Sequence, residues 1–142
     1  MLFLNKNNSE RYISIKYFYL KKRKSDIHEH LDTLYRYATK CDSIFETGVR
    51  GVVSSWAFLK GLLDNKTDMK TFLLNDIEDC NTSEIEYHAE KVEIDLETIW
   101  RNNLEINLNR KYDLVFIDTW HVYGQLRREL DKFSLHCNKY II

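Results

Sequence analysis

Short, nearly unbroken apolar runs alternate along this chain with longer stretches in which apolar residues recur every third or fourth position. The first pattern predicts buried strands and the second amphipathic helices. Residues 43–47 (SIFET), 70–76 (KTFLLND), 97–102 (ETIWRN) and 111–119 (KYDLVFIDT) read as strands, and KYII at 139–142 opens a fifth. The 111–119 run has five apolar positions close together, as in a parallel strand covered on both faces. Residues 25–41 read as a helix, with Ile27, Leu31, Leu34 and Ala38 at helical spacing. Ser25 is its expected N-cap, with Asp26 and Glu29 in the first turn, where the helix dipole favours negative charge. Residues 52–65 predict a second helix carrying Val53, Trp56, Ala57 and Leu63. Residues 81–94 predict a polar outer helix with Thr82 or Ser83 ahead of Glu86, and 123–137 a helix with Leu126, Leu130 and Phe133 on one face. The aromatic run RYISIKYFYL near the start fits either a short strand or a docking helix. Strands alternating with helices predict βαβ units and a mainly parallel α/β sheet. In such sheets ligands bind at the carboxyl ends of the strands, near the switch in strand order.

Composition narrows the picture. With 142 residues, 44% of them hydrophobic, the chain is long enough for one domain with a real core. We divide it into an N-terminal segment, 1–24, and a ligand-binding domain, 25–142. A net charge of −1 argues against nucleic acid and against a field directed at anionic membranes. The one basic run, Lys21-Lys22-Arg23-Lys24, could touch phosphate or lipid headgroups, but a solvated linker is the reading preferred here. The three cysteines form no CxxC pair and no zinc spacing, which predicts reduced thiols and a cytoplasmic setting. No apolar run approaches the roughly 20 residues of a membrane span, and the apolar stretch at the N-terminus is too short for a signal peptide.

Candidate chemistry gathers at the strand ends. The chain has four glycines and no proline, and two of the glycines, Gly48 and Gly51, lie three residues apart after the first strand. Glu46-Thr47-Gly48-Val49-Arg50-Gly51 reads as a strand-to-helix turn that lets a ligand approach the backbone. The pattern does not match G-x-G-x-x-G, and a plain βα turn would use glycine too. The second strand ends in Asp76, placed to bond a ribose diol, with Glu78 competing for that role. After the third strand, Asn103 and Leu104 can offer an amide and an apolar contact to a base edge, although Asn in this stretch also suits a turn. Asp118 ends the most apolar strand, followed by Trp120, His121 and Tyr123. It can ligate a divalent metal, accept a proton or cap the next helix, while His121 can act as a general base near neutrality.

Taken together, DSIFETGVRGVVSSWAFLKGLL, the acidic end of TFLLND, and YDLVFIDTWHVYGQLRREL resemble the class I S-adenosylmethionine-dependent methyltransferases. The branch most similar contains small-molecule O-methyltransferases and cephalosporin-hydroxylase-like proteins. The resemblance runs over about residues 25–142. It implies a Rossmann-like, doubly wound sheet of order 3-2-1-4-5 without the family's last strands. It also implies S-adenosylmethionine as cofactor and methyl transfer to a small-molecule acceptor. By the same resemblance Glu46, Gly48, Arg50 and Gly51 contact the methionine part of the cofactor, and Asp76 holds the ribose. Asn103 and Leu104 then flank the adenine, and Asp118, with His121 beside it, faces the methyl group or a metal. Two departures stand out. Val52 occupies a position where many relatives carry another glycine, and the family segment that supplies a second metal carboxylate has no counterpart within residues 1–142. We therefore expect weak metal dependence or none. The alternatives are a non-catalytic cofactor-binding module and an enzyme that cleaves the cofactor itself. An unpaired fifth-strand edge predicts a homo-oligomer, or cover by the N-terminal segment.

Overall fold

The computed structural model describes residues 2–142. Five parallel strands form one sheet in the order β3-β2-β1-β4-β5. They are β1 (Ser43–Thr47), β2 (Thr71–Asp76), β3 (Asp95–Trp100), β4 (Tyr112–Ile117) and β5 (Cys137–Ile141). The helices are α1 (Leu2–Lys22), α2 (Leu31–Ala38), α3 (Val53–Asp64), α4 (Ser83–Lys91) and α5 (Tyr123–Phe133). This is the α/β, Rossmann-like order expected from the sequence.

The strand side chains sort by the period of two that pleating imposes. Ile44, Phe72, Leu74, Leu114 and Phe116 join one hydrophobic cluster with residues of α1 to α4. Phe45, Leu73 and Val115, one residue out of step, join a smaller cluster with Ile106, Tyr112 and Phe133. All five residues of β1 are buried, as befits the central strand. Helix α3 lies tightly against α2 because Gly61 allows it: a Cβ there would fall 2.3 Å from the Ala38 Cβ.

Several boundaries differ from the sequence reading, each for a local reason. The aromatic N-terminal run is the docking helix of the two alternatives. Ser9, Ile13, Tyr17 and Leu20 of α1 are buried, and the helix packs on α3 and α4. Ser25 caps no helix. A 3-10 turn at His28–His30 precedes α2, and His28 Nδ1 lies 2.6 Å from the Ser25 carbonyl oxygen and 3.2 Å from its nitrogen. A ring nitrogen thus occupies the backbone that a capped helix would have used. At α4, Thr82 is the N-cap residue but makes no side-chain cap; Asn81 Oδ1 instead accepts from the Ser83 hydroxyl at 2.8 Å. Strand β3 starts two residues earlier than its apolar pattern suggests, because Asp95 and Glu97 are exposed on an edge strand. Charge on an edge discourages pairing with other chains.

Candidate functional site

The carboxyl ends of β1, β2 and β4 meet where the strand order reverses, between β1 and β4. Gly48 takes φ +96°, and a Cβ on it would fall 2.0 Å from the Asp118 carbonyl oxygen. Its N–H donates to the Asn75 carbonyl at 2.9 Å, and Asp118 N–H donates to the Thr47 carbonyl at 2.9 Å. Gly48 therefore lets three strand ends interlock, and only glycine fits there. Gly51 differs: it is exposed, and a Cβ there would meet only Val53 Cγ2, at 3.9 Å. Between and after these glycines, Arg50 (φ 42°) and Val52 (φ 58°) both adopt left-handed backbone. A β-branched residue in that region is strained, and such strain clusters at ligand sites. Val52 is thus the non-glycine departure noted in the sequence, taken up here as strain at the start of α3.

Glu46 lies behind this turn with no solvent exposure. Its Oε1 accepts from the Ser54 hydroxyl at the start of α3, and its Oε2 has no partner. Burial pushes the Glu46 carboxyl up to about 8, opposed by the Ser54 and Ser55 hydroxyls and reinforced by the charges of Asp118 and Asp76. The Ser55 hydroxyl lies close by but outside hydrogen-bond geometry to Oε2. Asp76 closes the turn from the β2 side: its Oδ2 accepts from Arg50 N–H at 2.9 Å and its Oδ1 from Glu78 N–H at 3.2 Å. Glu78 enters through its backbone. The Arg50 guanidinium points outward and pairs with Asp26. At the end of β4, Asp118 Oδ1 lies 3.2 Å from His121 Nε2. The His121 side chain is 84% exposed, and Trp120 and Tyr123 beside it are 80% and 78% exposed. Among the described residues no group of three His, Cys, Asp or Glu side chains could hold a metal ion.

Asn103 and Leu104 sit in a 3-10 turn, Asn103–Glu105, whose cap is Asn102: its side chain accepts from Leu104 N–H at 3.1 Å. Leu104 is partly exposed. Asn103 is buried and turned inward. Its Nδ2 donates to Glu129 Oε1 at 2.6 Å and lies 3.0 Å from Thr47 Oγ1. Thr47 in turn donates to Asn75 Oδ1 at 2.7 Å, and Asn75 Nδ2 donates to the carbonyls of Ile99 and Arg101. Glu129 of α5 is fully buried. Thr119 Oγ1 lies 2.7 and 2.9 Å from its two carboxyl oxygens, and Gln125 Nε2 donates to it at 3.0 Å. One buried network therefore ties the ends of β1, β2 and β3 to the Asn103 turn, the Thr119 loop and α5. The sequence reading missed Thr47, Asn75, Thr119 and Glu129. A usable signal existed for the first two, since each is a polar residue at the end of an otherwise apolar strand, and they pair in register.

No protein-family profile and no curated protein matches the chain. Solved structures do share its fold. An O-methyltransferase from Bacillus cereus in complex with SAH superposes with a TM-score of 0.56 at 14% identity, covering 94% of this chain and 61% of that one. An SAH-bound methyltransferase from Podospora anserina gives 0.55 at 19% identity, covering 91% and 59%. The N-methyltransferase NodS from Bradyrhizobium japonicum gives 0.53 at 14% identity, covering 78% and 61%. The chain thus has the fold of class I methyltransferases and spans about three fifths of the length of these neighbours.

Proposed function

We propose that this chain binds S-adenosylmethionine at the carboxyl ends of β1, β2 and β4 and serves methyl transfer to a small-molecule acceptor. The observation that carries this reading is the buried Glu46 carboxyl, with one oxygen unpartnered, behind a glycine turn at the switch point of a 3-2-1-4-5 sheet. A buried oxygen without a partner is costly unless a ligand supplies a donor, and the amino-acid end of S-adenosylmethionine carries an ammonium group. Two SAH-bound neighbours share the same fold.

The residue roles follow from chemistry and position. Glu46, Gly48 and Gly51 take the methionine end, with Gly51 leaving the approach open and Gly48 shaping the turn. Arg50 contributes through its backbone, because its side chain is drawn to Asp26. Each Asp76 oxygen keeps a free lone pair beside its backbone donor, so ribose hydroxyls can bind without breaking the turn. Leu104 flanks the adenine, with Asn103 supporting it from behind. When bound, the cofactor supplies a methyl group made electrophilic by a sulfonium. The protein's work is to align the acceptor in line with that methyl, exclude water and take up a proton. His121, held by Asp118, is placed to accept the proton. Asp118 with His121 offers a divalent ion two protein donors, which does not fit a dedicated metal site, and no step is assigned to a metal. The three thiols are unpaired, which supports a reducing compartment, and we place the protein in the cytoplasm. No helix among the described residues is long and apolar enough to cross a membrane.

A second reading, cofactor binding without methyl transfer, is favoured by one observation. His121 and Trp120 are open to water, and a site that transfers methyl groups must exclude it. Calorimetry with S-adenosylmethionine and S-adenosylhomocysteine, followed by mass spectrometry of the same mixtures with a pool of small hydroxyl and amine acceptors, separates the readings. Binding with methylated product supports the enzyme. Binding with neither methylated nor cleaved product leaves a module, and absence of binding rejects both.

A further inference from the structure

We propose that the outward face of α1 is a docking surface for an anionic lipid membrane, on which the protein lies without crossing it. This inference does not depend on the cofactor reading. Helix α1 is apolar on two opposite sides. One side, Ser9, Ile13, Tyr17 and Leu20, is buried against the domain. At 100° per residue the opposite side carries Asn8, Arg11, Ile15, Phe18, Tyr19 and Lys22, all exposed. Ile15, Phe18 and Tyr19 are 57%, 55% and 54% exposed. A surface helix ordinarily turns a polar face to water, so three neighbouring apolar and aromatic side chains on that face call for a cover.

The charge on this face indicates what the cover is. The strip itself has no acidic side chain and runs directly into Arg23 and Lys24, both exposed. Other cations of the helix are neutralised within the fold, Lys6 by Glu93, Lys16 by Glu84 and Lys21 by Asp32. Arg11, Lys22, Arg23 and Lys24 form no ion pair among the described residues. Of the acidic groups that follow in sequence, Asp26 is taken by Arg50 and Glu29 is exposed in the next turn. The strip therefore offers aromatic side chains for the headgroup boundary and uncompensated cations at one end. These are the two signals that together give peripheral binding to acidic membranes. The same shape disfavours a peptide. Helix α1 rides on top of α3 and α4, so its outer strip is convex, whereas apolar helix recognition uses a groove. The run read from sequence as a solvated linker is thus the charged end of a helical surface.

Flotation of the full-length chain with vesicles tests the proposal. Vesicles of phosphatidylcholine alone are compared with vesicles in which one lipid in four is phosphatidylserine. The wild-type chain is expected to float only with the acidic vesicles and to be released by high salt. Substituting Phe18→Ser with Tyr19→Ser should weaken binding by roughly tenfold, and Lys22→Glu with Arg23→Glu and Lys24→Glu by roughly a hundredfold. All five positions are exposed, and thermal unfolding of the Phe18/Tyr19 variant should match the wild type. The charge reversal puts anions at the C-terminus of α1, so Lys22→Gln with Arg23→Gln and Lys24→Gln, which only neutralises them, should also weaken binding while unfolding like the wild type. No flotation with acidic vesicles overturns the proposal. So does binding indifferent to Phe18 and Tyr19, or equal retention on an acidic peptide or an oligonucleotide of the same charge density.

Discussion

Glu46 holds its proton in the folded chain up to about pH 8, whereas a glutamate in the unfolded chain releases it at about pH 4.3. Between those values the folded state carries one proton more than the unfolded state. Stability from this group is therefore complete at the acid end of the window and falls as pH rises, with a slope approaching ~1.4 kcal/mol per pH unit. This is the reverse of the usual paired carboxylate. Glu46→Gln mimics the protonated form and should flatten that slope, measured by urea unfolding across the window; an unchanged slope would remove Glu46 as its source. If an ammonium group of the cofactor lands on Glu46, binding should also release about one proton, visible as a buffer-dependent heat in calorimetry. The two glycines of the turn make a second residue-level test. A side chain at Gly48 meets the Asp118 backbone, and a left-handed φ adds about 1–2 kcal/mol for a non-glycine residue. Gly48→Ala should thus destabilise the fold by more than ~2 kcal/mol whether or not ligand is present. Gly51→Val meets no clash and should leave stability within about 0.5 kcal/mol of wild type. If the turn holds the cofactor, Gly51→Val should still lower S-adenosylmethionine affinity by at least about tenfold, equivalent to ~1.4 kcal/mol. Equal affinity in a folded Gly51→Val protein would move the cofactor away from this turn.

Elements whose burial follows one period were legible in the sequence, and elements stabilised by particular polar contacts were not. Strand β1 and the centre of β4 show uninterrupted apolar runs because both faces are covered, so their positions could be read directly. Helix α1 defeated the reading because both of its faces are apolar, which blurs the helical period and looks equally like a strand. The Ser25 cap failed because a histidine ring competes for the same backbone, and such competition has no pattern in sequence. The candidate residues at the strand ends could be singled out in the sequence because acidic and glycine residues are conspicuous in apolar surroundings. Glu129 was passed over because a glutamate in a helix reads as solvated, yet α5 turns it fully inward. That burial makes α5 the clamp on the adjoining loops. Glu129→Ala would strand the Asn103 amide and the Thr119 hydroxyl without their acceptor, at a cost of about 3 kcal/mol. Urea unfolding checks the value, and a loss under ~1 kcal/mol would show that water replaces the carboxyl and that the network does not hold the loops.

On the scale of the whole molecule, the sheet order determines which surfaces are free to bind. It brings the ends of β1, β2 and β4 together and leaves β3 and β5 as edges. The two edges are managed differently. Strand β3 exposes Asp95 and Glu97, whose charges repel a second copy. Strand β5 has one charged side chain, Lys139, and it folds back onto Asp113 at 2.9 Å and onto the Lys40 carbonyl at 3.1 Å. Helix α1 lies over α3 and α4, so the N-terminal cover considered for this edge goes to helices instead. Tyr140 and Ile141 turn inward against the two clusters, leaving Asn138 as the exposed polar side chain beside the open edge backbone. Among the described residues no strand pairs the outer side of β5, and we propose that the chain of 142 residues self-associates there about a two-fold axis, since an unpaired edge is a template for a second strand. Sedimentation over a micromolar concentration series should show a dimer that dissociates on dilution. Asn138→Glu places like charges near each other across such an axis and should shift the chain to monomer. Because the Asn138 side chain also bonds the Asp113 carboxylate, Asn138→Ala, which loses that bond without adding a charge, is the control and should leave the dimer in place. A wild-type chain that stays monomeric throughout the series would eliminate the β5 interface. A dimer that persists in Asn138→Glu would place the contact on another surface, and the exposed apolar residues Tyr123, Leu126 and Leu130 of α5 would then be the next to alter.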